Sequence, residues 1–104
     1  MEKSQLLGRI KSIITKADPN SRVYLFGSRA NNTGKPDSDW DILILVDQDR
    51  ITTDLETRIN SLLYDLELET GEVISPFIYT ENDWNSRQKS SPFYVSVMNH
   101  GQLL

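Results

Sequence analysis

Asp39 and Asp41 stand two residues apart at the head of the apolar run "WDILILV". In a strand, residues of that spacing face the same side, so the two carboxylates sit next to each other while Trp40 and Ile42 face the opposite side. Neighbouring carboxylates resist joint ionisation unless a cation lies between them. Hard oxygen donors of this kind suit Mg²⁺, which is commonly held by one or two carboxylates together with water and substrate phosphates. Upstream, "YLFGS" ends an apolar stretch on Gly27 and Ser28. The glycine lets the backbone bend sharply and approach a ligand closely, and the serine offers a hydroxyl and an N–H to an anion. Brought together at neighbouring strand ends, the two halves would hold a nucleoside triphosphate, with Gly27 and Ser28 at its phosphates and a cation bridging Asp39 and Asp41 to them.

The flanking sequence must supply the strands. "RVYLFG" reads as one, and "WDILILV" as a central one buried on both faces along most of its length. Between them "NNTGKPDS" has the composition of a surface loop. Ahead of the first strand, Leu6, Leu7, Ile10, Ile13 and Ile14 recur at helical spacing, with Ser4 as N-cap and "ADPNS" as the stop. A second helix starts at Thr53 and Glu56, spaced as a capping box, and stops at Gly71. "EVISPFIYT" is a third strand, placed at an edge or bulged because Pro76 cannot donate to a ladder. Thr80 and Asp83 cap a short helix, and Ser91 before Pro92 opens a last one that ends at Gly101. The order predicts an α+β fold, a small mixed sheet with helices packed on one face, as a single domain over 1–104.

The 104 residues allow one core and leave no room for a separate substrate domain, so a complete cleft calls for a partner. A net charge of -4 argues against generic binding to nucleic-acid phosphates. The chain has no cysteine, which excludes disulfides and thiolate metal sites and fits a cytoplasmic setting. No apolar segment is long enough to cross a bilayer. Arg29 and Lys35 lie in the polar loop, where a solvated role is the ordinary one. His100, the one histidine, falls at the end of the last helix, where an imidazole meets free carbonyls. Trp40 and Trp84 are expected to pack against the helices or a partner, with base stacking as the alternative, and nothing local marks Tyr64, Tyr79 or Tyr94 as an acceptor.

The paired motifs resemble the minimal nucleotidyltransferases of the DNA polymerase β superfamily, whose signature is Gly-Ser, ten residues, then Asp-x-Asp. Here "RANNTGKPDS" separates Gly27-Ser28 from Asp39-Trp40-Asp41. The ending "SPFYVSVMNHGQLL" is similar to the terminal helix of small members found beside HEPN-domain toxins. The resemblance implies transfer of a nucleoside monophosphate, AMP from ATP, to a hydroxyl of a protein or small molecule. It implies phosphate binding by Gly27 and Ser28, Mg²⁺ binding and catalysis by Asp39 and Asp41, and a HEPN-type partner. One departure stands out: where active members carry a third carboxylate on the next strand, this chain aligns Ser75. Glu72 has the opposite parity unless Pro76 bulges the strand, and Asp37 in the loop is the other substitute. A second reading is therefore an antitoxin-like binding module with weakened or no catalysis, and a third a nucleotide sensor without turnover.

Overall fold

The structure, a computed structural model, describes residues 2–31 and 33–104. Four helices, α1 (Lys3–Ala17), α2 (Thr53–Thr70), α3 (Glu81–Ser86) and α4 (Pro92–His100), accompany four strands, β1 (Arg22–Phe26), β2 (Trp40–Val46), β3 (Ile74–Thr80) and β4 (Gln102–Leu103). The strands form one mixed sheet in the order β3-β2-β1-β4. β1 runs antiparallel to both β2 and β4, and β2 runs parallel to β3 with α2 as the crossover.

β2 is buried from Ile42 through Val46, and its alternation divides the interior in two. Ile42, Ile44 and Val46 meet Leu6, Ile10 and Ile14 of α1 and Ile59, Leu63 and Leu66 of α2. Leu43 and Leu45 face the other way, into a second cluster with Tyr24, Trp84 of α3 and Val97 of α4. The expected mixed α+β sheet is present, but helices cover both of its faces rather than one. An uninterrupted apolar strand requires this, since each face needs its own cover.

Local signals set the element ends, with two shifts from expectation. The N-cap of α1 is Glu2, not Ser4: the Gln5 side-chain carbonyl accepts from the Glu2 amide at 3.2 Å. For α2 the cap moves one residue, to Thr52, whose hydroxyl accepts from the Leu55 amide at 3.1 Å. Thr80 caps α3 and Ser91 caps α4 as expected, and Gly71 closes α2 in the left-handed region at φ 76°. β3 is an edge strand, in keeping with Pro76, and pairs residue for residue from Trp40↔Ile74 to Val46↔Thr80 without a bulge. β4 was not foreseen; its two residues are too few to carry a period.

Candidate active site

β1 ends where β2 begins, because the two strands are antiparallel. The register sets Phe26 opposite Asp41 and Asp41 beside Ser75. Gly27 follows at φ +76°, and a methyl group built on it would fall on Asp41 Oδ2, 3.3 Å from the Asp41 Cγ. Only glycine tolerates both the backbone angle and the neighbour. The bend and the carboxylate are thus in direct apposition. Ser28 follows in a turn closed by the Ala30 amide donating to the Gly27 carbonyl at 3.1 Å, while the Thr33 and Gly34 amides donate back to the Ser28 carbonyl. Among the described residues, neither the Ser28 amide nor its hydroxyl has a hydrogen-bond partner.

Asp41 is half-buried and Asp39 exposed. Burial, and then the charge of Asp39, raise the Asp41 carboxyl above its ordinary value of 3.8. Ser75 stands where sequence alignment put it, and its hydroxyl donates to Asp39 Oδ2 at 3.1 Å. Among the described residues no third histidine or carboxylate joins these two to form a larger metal-binding group. Glu72 keeps its opposite parity and is committed elsewhere, accepting from Trp40 Nε1 at 2.9 Å. Two adjacent carboxylates with a neutral hydroxyl alongside form a hard-oxygen donor set that fits one divalent cation completed by substrate oxygens.

Arg29 is not a solvated loop residue. Its side chain is 16 % exposed, lies 4.2 Å over the Trp40 ring and approaches Glu72 at 3.7 Å. Its Nη2 donates to the carbonyls of Pro36 and Ser38, and its Nε also donates to Ser38. No sequence pattern marks this role, because two of its partners are backbone carbonyls. Lys35 and Asp37 are exposed in the loop, and His100 is exposed at the end of α4. Strand parity puts Phe77 on the Ser75 face, but no sequence pattern marks its cluster with Phe26: both share the carboxylate face and contact each other and Phe93 with ring centroids 5.1–5.8 Å apart. Phe77 is 41 % exposed, leaving an aromatic surface beside Asp41 and Ser75.

The sequence profile of the family described as polymerase beta, nucleotidyltransferase matches residues 8–103. No curated protein sequence matches the chain. Among solved structures the fold is similar to a toxin-antitoxin crystallised with AMP-PNP, at TM-score 0.62 and 19% identity over 92% of this chain and 69% of that one. It is also similar to two variants of the toxin-antitoxin MntA-HpeT. One carries a tyrosine-to-alanine substitution (TM-score 0.56, 19% identity, 100% of this chain and 72% of that one). The other carries two aspartate-to-glutamate substitutions (TM-score 0.61, 17% identity, 99% and 72%).

Proposed function

The chain belongs to the polymerase β nucleotidyltransferase family, and from that premise we propose that it transfers a nucleoside monophosphate, AMP from ATP, to a hydroxyl of a protein or small-molecule acceptor. The observation that carries this reading is the apposition of Gly27 to Asp41, with Asp39 electrostatically coupled to it. The Ser28 amide and hydroxyl donate to phosphate oxygens, and Gly27 lets those oxygens come close to the backbone. Asp39 and Asp41 would hold Mg²⁺, which when bound supplies a lowered pKa for the attacking hydroxyl and offsets charge on the phosphates. The acceptor oxygen attacks the α-phosphorus and pyrophosphate leaves, the hydroxyl proton passing to the solvent onto which Asp39 opens. The aromatic surface of Phe77 gives the base or the acceptor a place to rest. Positioning and electrostatics do most of the work in such a reaction.

The similar solved structures are toxin-antitoxin complexes, one of them with AMP-PNP, which supports a nucleotide as ligand and a toxin as partner; a HEPN-type toxin met in the cytoplasm, and its hydroxyl as the acceptor, are the finer parts of the proposal. Labelled ATP, Mg²⁺ and the co-expressed partner or a host lysate should give label transfer that is lost in Asp41→Asn. Undiminished label in that variant would refute the assignment.

Ser75 favours a second reading. With a hydroxyl where a third acid would complete the site, the chain would act chiefly as an antitoxin-like binding module. Partner capture that survives Asp39→Asn/Asp41→Asn, with no transfer by the wild type, would select it.

A further inference from the structure

Asp39 lies just before β2 and is exposed, so the sheet alone does not fix its backbone. On the side of β2 opposite Asp41, however, one arginine grips both flanks of it. Arg29 donates at 2.9 Å to the carbonyl of Ser38, the residue before Asp39, and lies 4.2 Å over the ring of Trp40, the residue after it. Trp40 is 4 % exposed, and its Nε1 donates to Glu72, which in turn faces the guanidinium. The Trp40 amide donates to the Val73 carbonyl at 2.9 Å. The Arg29 backbone is anchored separately, its carbonyl accepting from Lys3 Nζ at 3.2 Å.

We infer that Arg29, Trp40 and Glu72 form a positioning unit that sets the backbone of Ser38–Asp41, and so the spacing of the two carboxylates, without touching substrate. The inference rests on the nucleotidyltransferase reading for its purpose. A planar guanidinium can bind a carbonyl in its plane and stack on an indole with its face at the same time, which an ammonium cannot do. Groups that orient ligands in this way are commonly worth 10- to 100-fold in metal affinity.

The test uses the full chain and two readouts: amide hydrogen exchange, which needs no ligand, and Mn²⁺ binding by paramagnetic relaxation. In Arg29→Gln, exchange at Ser38–Asp41 is expected to accelerate by about tenfold or more with β1 unchanged. Mn²⁺ affinity is expected to fall by about tenfold, with Arg29→Lys recovering only part of either. A folded Arg29→Gln within about twofold of wild type in both readouts would overturn the inference. Should that variant not fold, Trp40→Phe, which keeps an aromatic face and loses the bond to Glu72, is judged by the same two readouts. Wild type that binds no Mn²⁺ would count against the nucleotidyltransferase reading, and the exchange comparison would still decide the positioning role.

Discussion

At the scale of single residues, the site is built at a cost to stability. Asp41 is raised by burial and by Asp39, so the folded chain holds that proton more tightly than the unfolded chain does. Stability therefore falls as pH rises from the ordinary value of 3.8 through the raised folded value, and above both the loss is complete. Asp41→Asn removes the charge and should raise the melting temperature in EDTA at pH 7. The gain should shrink as the pH is lowered toward 3.8. Calorimetric scans at several pH values check this, and an unchanged or lowered melting temperature at pH 7 would contradict it. Gly27 and Gly71 share φ 76°, but only Gly27 has a neighbour where a Cβ would go; Gly71 has nothing within 4 Å. Both alanine variants incur the left-handed backbone cost of about 1–2 kcal/mol. Gly27→Ala should cost a further 1–2 kcal/mol or so and weaken triphosphate binding. Urea unfolding of the pair isolates the contact with Asp41, since the shared backbone cost cancels.

At the scale of elements, strand parity made much of the arrangement legible. The spacing of Asp39 and Asp41 put both acids on one face, and aligning "EVISPFIYT" with the family's third-carboxylate strand put Ser75 beside them, where the register has it. Parity also excludes Glu72, which turns to Trp40. Periodicity could not show what has no period. Arg29 bonds carbonyls seven and nine residues ahead, a geometry that exists only once the loop doubles back, and β4 is two residues held by pairing with β1. Helix ends moved by one or two residues because several polar side chains in a row can cap and local sequence does not choose among them. Because the parity is fixed, Ser75→Asp would add a carboxylate next to Asp39 and Asp41. Affinity for Mg²⁺ should rise on the order of tenfold by calorimetry, while the melting temperature in EDTA should fall through repulsion among three acids. Unchanged affinity would mean that position 75 does not face the cation.

At the scale of the whole molecule, "DILILV" already contained the second covered face, since a strand apolar at every position after its opening acid cannot leave one side bare. The outcome is a sheet whose α1 and α2 side is closed, while the side of α3 and α4 carries the carboxylates at its open end. Charge then constrains what can bind there. The chain carries -4 overall, and the arginine nearest the site is engaged with carbonyls, an indole and Glu72. A triphosphate approaching Asp39 and Asp41 therefore meets like charge that Arg29 does little to offset. Nucleotide affinity should depend on a divalent cation far more than on ionic strength, because a cation held between two carboxylates and a phosphate is less screened than surface charge. Titration calorimetry with ATP should show binding weakened by about tenfold or more when EDTA replaces Mg²⁺, and by only about two- to threefold between 50 and 200 mM salt with Mg²⁺ present. A steep salt dependence with no response to EDTA would point instead to a diffuse basic surface, and the pairing of Asp39 with Asp41 would lose its purpose.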